Sequence, residues 1–239
     1  MEAKNIFLII IIIFILIIII SYFYSSSTTL TSLTSGKTAQ TIEYTSLSTS
    51  ESGSSSVNFT YSIWLYIDDW NYRYGEEKVI FKRTFTDENN IVYPCPSMTF
   101  GAIENNITTF ITTYGTDTDS LTIFPCTINN VPIQKWMNVL ISVYNRYLDV
   151  YLDGKLVRTC ILPGVPKIDS TASIYVTPDG GFSGWTSKFE YYPNSTDPQT
   201  AWNIYKAGYG GGSIFGNYGD YTIKISVMEG DVEKKSIEI

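Results

Sequence analysis

Apolar and polar residues sort into three regimes along this chain. From Ile6 to Ile20 every position is Ile, Leu or Phe, and Ser21-Tyr22-Phe23-Tyr24 follows. The 19 residues from Ile6 to Tyr24 would rise about 28 Å as a helix, close to the hydrocarbon thickness of a bilayer. Isoleucine is a mediocre helix former in water. A lone span in lipid must satisfy its backbone internally, however, and a helix does this. Tyr22 and Tyr24 fall where interfacial aromatics belong. Residues 1–24 therefore read as a single transmembrane anchor, with residues 6–24 against the lipid bilayer. A cleaved signal peptide is the competing reading, since Ser25–Ser27 offer small residues for cleavage. The length of the run, and a Lys4 offset by Glu2, favour the anchor. Lys4 precedes the span and no Lys or Arg follows it until Lys37, which orients the rest of the chain to the extracytosolic side.

Residues 25–56 form the second regime, dominated by Ser and Thr with little charge. Such a stretch buries too little apolar surface to offset its ordering entropy, so it reads as an extended stalk. Within it, residues 41–47 begin with an alternating Thr41-Ile42-Glu43-Tyr44-Thr45 that suits a first strand.

From Val57 to Ile239 the pattern is that of strands. Phe59–Ile67 and Lys78–Arg83 are runs of β-formers, and Ser97–Ile103 can pair with Thr108–Tyr114 across Glu104-Asn105-Asn106. Trp136–Tyr144, Tyr147–Leu152 and Lys155–Thr159 alternate around Asn145-Arg146 and Asp153-Gly154. Asp-Gly between alternating strands marks a tight hairpin. Tyr221–Met228 and Ser236–Ile239 close the chain around Glu229-Gly230-Asp231. One helix is convincing: Asp197 caps it, Pro198 opens it, Ala201, Trp202 and Tyr205 share a face, and Gly208 ends it. Many short strands with one short helix predict an all-β, two-sheet antiparallel sandwich.

Two motifs carry a family resemblance. Lys135–Val139 followed by Leu148-Asp149-Val150-Tyr151-Leu152-Asp153-Gly154-Lys155-Leu156-Val157 resembles the central hairpins of concanavalin A-like, laminin-G-like jelly-roll domains. Gly181–Tyr192 and Asp197–Gly208 resemble the strand and helix that follow there. The likeness covers roughly residues 57–239 and implies a jelly-roll sandwich. Val131–Trp136, Leu162–Pro166 and Pro178–Gly184 are phrased like domains encoded by large double-stranded DNA viruses of protists and algae. That similarity implies a virion membrane or minor structural component contacting other virion or surface proteins.

Composition narrows the chemistry. The net charge is −7 and no basic run occurs, so nothing here would displace counterions from a nucleic acid backbone. Absence of His removes the commonest general base and zinc ligand. Relatives of the fold include β-glucanases, whose retaining chemistry needs two carboxyl groups about 5–5.5 Å apart. Asp149 and Asp153 bracket a hairpin strand, and Asp68 and Asp69 lie on opposite strand faces, so neither pair matches. A non-enzymatic protein is expected, with a degenerate glycan hydrolase as a distant alternative.

Binding is the other class. Asp68, Asp69, Trp70 and Asn71 form one loop cluster of an aromatic with oxygen donors, and Asp87, Glu88 and Asn89 lead a second. Calcium is the cation such oxygen ligands take, and glycans are the matching ligand, as in a calcium-assisted surface lectin for host attachment. An ordinary polar turn is the favoured reading of each loop, with a ligand or calcium site the alternative. Trp64, Trp136 and Trp202 read as core, and Trp185 as core or ligand contact. Cys126 and Cys160 lie on strands that a meander brings side by side, which makes them a candidate disulfide. Cys95–Cys126 is the competing pair, and three free thiols the remaining option. Asn58, Asn106 and Asn194 begin N-glycosylation sequons, of which Asn106 sits in a predicted turn.

Overall fold

A computed structural model describes residues 29–47, 58–115, 120–210, 224–229 and 232–238, together with three helical positions, Ile12, Ile15 and Leu16. The predicted span 6–24 lies otherwise outside the described residues. Among those described, no helix is long and apolar enough to cross a membrane.

In chain order the strands are β1 (Thr29–Thr31), β2 (Thr34–Ser35), β3 (Gln40–Ile42), β4 (Phe59–Asp69) and β5 (Lys78–Thr86). Next come β6 (Val92–Phe100), β7 (Ile107–Tyr114), β8 (Leu121–Ile128), β9 (Trp136–Tyr144) and β10 (Tyr147–Leu152). The series continues with β11 (Lys155–Ile161), β12 (Ile174–Val176) and β13 (Ser183–Tyr192), then helix α1 (Pro198–Lys206). Finally β14 (Lys224–Glu229) and β15 (Val232–Glu238) pair with each other as a separate two-stranded sheet. The first large sheet runs β1-β13-β4-β9-β10-β11, with β2 also on β13, and the second runs β3-β12-β5-β6-β7-β8. This is the expected all-β antiparallel sandwich with one short helix.

Period-two patterning fills the space between the sheets. Ile63, Leu65 and Ile67 of β4 and Met137, Val139, Ile141 and Val143 of β9 are fully buried. They share one core with Ile80, Met98, Phe100, Ile107 and Ile111 of the second sheet. Tyr61, Phe81 and Phe189 join the layers, with Phe81 centred 5.3 Å from Tyr61 and 5.0 Å from Phe189.

The 25–56 stalk is corrected over its described part. Thr29–Ser35 pairs with β13, and Gln40–Ile42 pairs with β12 through Ile42↔Ile174, Thr41↔Tyr175 and Gln40↔Val176. The chain thus closes one edge of each sheet in turn. Both edges present unpaired backbone groups, and an edge strand gains its bonds from backbone rather than side chains. Low hydrophobicity therefore did not prevent ordering, and Thr31 and Ile42 are buried. The expected first strand at 41–47 is β3 plus a 3₁₀ turn at Tyr44–Ser46.

The Asn145-Arg146 and Asp153-Gly154 turns connect β9 to β10 and β10 to β11 as expected, with φ of 50° at Asp153 and 72° at Gly154. Helix α1 begins where Asp197 Oδ1 accepts bonds from the Gln199 and Thr200 amides. Its packing differs from expectation. Ala201 and Ile204 are buried against Leu140 and Tyr151 on the outer face of the first sheet, while Trp202 is 36% exposed. Residues three apart share a helical stripe, and that stripe excludes Trp202. Its ring lies over Gly154, where a Cβ would sit 2.9 Å from it.

Cys126 on β8 and Cys160 on β11 are disulfide-bonded with Cα atoms 6.2 Å apart. Their strands are not side by side in one sheet, as a meander would place them, but are the outer edges of opposite sheets. Arg158 Nη1 adds a bond across the same gap to the Thr127 carbonyl. Cys95 is a buried thiol whose pKa burial pushes up.

Candidate functional site

At one end of the sandwich the loops after β4, β6 and β8 enclose a cleft of about 370 Å³, lined by Trp70, Ile103, Glu104, Asn105, Asn106, Asn129 and Asn130. Trp70 follows β4 and is held in place on several sides. Its Nε1 donates to the Ile103 carbonyl at 2.9 Å, and its ring meets Phe100 edge-on at 5.7 Å. Lys78 Nζ stands 5.1 Å from its ring centroid. Burial, then the charge of Arg73, lowers the Lys78 pKa.

The second wall is built by reciprocal bonds between loops. Val131 N donates to the Asn105 carbonyl at 3.0 Å, and Asn105 Nδ2 donates to the Val131 carbonyl at 3.2 Å. Asn106 Nδ2 reaches Glu104 Oε2 at 3.4 Å. Asn129 and Asn130 remain exposed, and Asn130 takes the left-handed conformation, φ 57°, that Asn tolerates. The cleft thus offers a fixed indole, amide donors and acceptors, and one carboxylate. Such groups suit hydroxyl-rich ligands rather than covalent chemistry.

The predicted residues divide among several places. Asp68 and Asp69 end β4 beside the cleft and are exposed, and Asp69 Oδ1 accepts from Asn71 N at 2.9 Å. Trp70 alone of that cluster lines the cleft. Asp87, Glu88 and Asn89 lie at the far end of β5, so a strand's length separates the two loops. Asp87 Oδ1 accepts from Asn89 N at 2.9 Å and Ile91 N at 2.8 Å, so its carboxylate closes its own turn. Among the described residues no three His, Cys, Asp or Glu side chains converge. Asp149 Oδ1 accepts from the Thr159 hydroxyl and Asp153 Oδ1 from Asn138 N at 2.9 Å, two separate structural tasks. Trp185 stands on the outer face of the first sheet, 47% exposed.

The sequon residues differ in access. Asn58 Oδ1 accepts from Asn145 N at 2.8 Å, Asn106 is half-buried in the cleft, and Asn194 is exposed. Sequence reasoning missed Asn105, Asn129 and Asn130. The signal available was a pair of Asn-Asn dipeptides, at 105–106 and 129–130, in loops flanking paired strands.

One further group matters for electrostatics. Glu190 on β13 is buried and its pKa is raised, chiefly by desolvation, against the lowering effect of Lys188 Nζ at 3.9 Å and Thr29 Oγ1 at 3.3 Å.

Two solved structures share the fold. One is the botulinum neurotoxin serotype D ligand binding domain in complex with N-acetylneuraminic acid, at 15% identity and a TM-score of 0.52. The other is a tryptophan-to-alanine mutant of HCR/D, at 15% identity and a TM-score of 0.50. Each match covers 74% of this chain but 42% of the other. No curated protein sequence matches. A laminin G family model, described as the concanavalin A-like lectin/glucanases superfamily, matches residues 36–192. It starts within the segment that the sequence assigned to a stalk and ends at the last strand of the sandwich. The chain therefore belongs to the concanavalin A-like lectin/glucanases superfamily.

Proposed function

We propose that this chain is a non-catalytic glycan-binding module held at a membrane surface by residues 6–24. The Trp70 cleft carries the reading: a fixed indole beside four asparagines and Glu104 pairs an apolar ring face with amide hydrogen-bonding groups. The superfamily contains lectins, and a solved neighbour is in complex with N-acetylneuraminic acid, which supports this ligand class. The superfamily also contains glucanases. Binding is favoured over hydrolysis because Asp149 and Asp153 are engaged in separate hydrogen bonds. A glycan array probed with and without EDTA tests the proposal. Binding to a defined glycan set, weakened by Asn129→Ala, supports it, and an empty array under both conditions rejects it. Loss of binding in EDTA alone would restore the calcium-assisted version.

Tethering is tight on this reading. Four residues, Ser25–Thr28, separate Tyr24 from β1, a gap that an extended chain spans in at most about 18 Å. The domain would sit close to the bilayer rather than on a long stalk. Resistance to alkaline carbonate extraction and an intact N-terminus by mass spectrometry are expected. A mature chain beginning near Ser25 would overturn the anchor.

A narrower version, a virion-membrane component making protein contacts, draws on the phrasing of the sequence and on one surface. Edge strand β11 exposes Leu156, Val157 and Ile161, a profile suited to strand pairing with another chain. Crosslinking from position 157 to a second protein in purified particles tests that version.

A further inference from the structure

Three aromatic side chains stand in a row across the outer face of the first sheet. Trp185 on β13 is the register partner of Tyr66 on β4, and Tyr66 is the partner of Trp136 on β9. Directly opposed residues project to the same face, with Cβ atoms about 4.5–5.5 Å apart. One step along, Thr186, Leu65 and Met137 are paired with one another and buried, so the row points away from the core. Tyr66 and Trp136 have ring centroids 5.6 Å apart. Tyr209 stacks on Trp136 at 4.4 Å and 11° and covers one face of that indole. Tyr66 and Trp136 are half-buried, so Trp185 and Tyr209 are the open rings of the row. The Tyr209 carbonyl accepts from Ser187 Oγ at 2.6 Å, which fixes it beside β13. Trp185 and Tyr209 are 47% and 41% exposed.

We propose that this row is a stacking platform for a neutral polysaccharide chain of pyranose rings, a second site apart from the Trp70 cleft. It rests on the glycan-binding reading but uses different residues. Sugar rings with equatorial hydroxyls present flat C–H faces, whose slight positive charge matches the negative face of an aromatic ring. Neighbouring strands lie about 4.7–4.9 Å apart, so rings on successive strands are set out at roughly the advance of one sugar unit. Hydroxyls at the sugar rim need polar partners, and the row has them. Asp68, two residues beyond Tyr66 where the β4–β13 register shifts, is exposed, and Gln134, also exposed, donates to its carbonyl.

Charge and composition select among occupants. The chain carries −7 overall, which disfavours an anionic lipid surface. The row is aromatic throughout, whereas the exposed face of β11 is aliphatic. A protein partner would suit β11 better.

The test uses the full chain in detergent micelles, titrated with cellohexaose and chitohexaose while tryptophan fluorescence and calorimetry are followed. Saturable binding is expected, weakened on the order of tenfold by Trp185→Ala and largely kept by Trp185→Phe. A readout without variants is oxidation of indoles by N-bromosuccinimide with peptide mapping, in which bound oligosaccharide should protect Trp185. No binding of either sugar, or an unprotected Trp185, overturns the platform. If Trp185→Ala binds as the parent does while Asn129→Ala loses binding, the platform fails and the cleft reading stands. In vesicles with brominated acyl chains, quenching that disappears on Trp185→Ala would place the ring against lipid and also overturn it.

Discussion

Cys126 and Cys160 join the free edges of two different sheets, across a sequence separation of 34 residues. Among the described residues β8 and β11 have no further strand on their outer sides, so the bridge closes the sandwich where hydrogen bonding does not. In the chain-entropy account a loop of this length contributes about 3–4 kcal/mol. Cys126→Ser with Cys160→Ser should lose about that much in urea unfolding. Reduction of the parent protein should lower its midpoint similarly, because it removes the same Cys126–Cys160 bridge.

Glu190 gives the fold a pH dependence of definite sign. Its folded pKa lies above the ordinary 4.5. Between the two values the folded state holds a proton that the unfolded state has released, so stability falls as pH rises through that window. Glu190→Gln should therefore raise the melting temperature at pH 7, and the gain should vanish below about pH 4.5. A gain that persists in acid would mean that the carboxylate is not desolvated as described.

Gly154 serves two purposes at once. It supplies a φ of 72° to the hairpin, and it lets Trp202 and Tyr205 of α1 approach where a Cβ would lie 2.9 Å from each. Gly154→Ala should cost about 1–3 kcal/mol by urea denaturation, through strain and overpacking together. Asp197→Ala, which removes the helix cap, should lower the urea midpoint by less than Gly154→Ala does.

Residues 29–42 behave as part of the domain, and truncation tests this. A chain beginning at Ser25 should unfold cooperatively with the midpoint of the parent domain. A chain beginning at Glu43 uncovers the edges of β13 and β12, and should show a lower midpoint and concentration-dependent aggregation. Equal midpoints would restore the stalk.

Legibility followed the range of the interactions. The β9–β10–β11 meander could be read because its registers are local, set by Asn145-Arg146 and Asp153-Gly154 within an alternating pattern. Helix α1 was marked by Asp197, Pro198 and Gly208, but which of its faces is buried depends on Leu140 and Tyr151, far along the chain. The cleft shows the same limit. Trp70 stood out beside its acidic neighbours, whereas Asn105 and Asn129 acquire meaning only when the loops after β6 and β8 meet.

Local pattern alone specifies a two-sheet antiparallel sandwich, its tight turns, a capped helix in the domain and an apolar N-terminal run of membrane-spanning length. These rest on periodicity and turn chemistry, which act over a few residues. Tertiary structure decided that Thr29–Ile42 closes two sheet edges, since backbone bonds offered by β13 and β12 outweigh a composition too polar to order alone. It also decided that Cys126 meets Cys160 across the sheets rather than within one. The row of Trp185, Tyr66 and Trp136 likewise exists through strand register alone, which joins positions far apart in the chain only once the sandwich has closed.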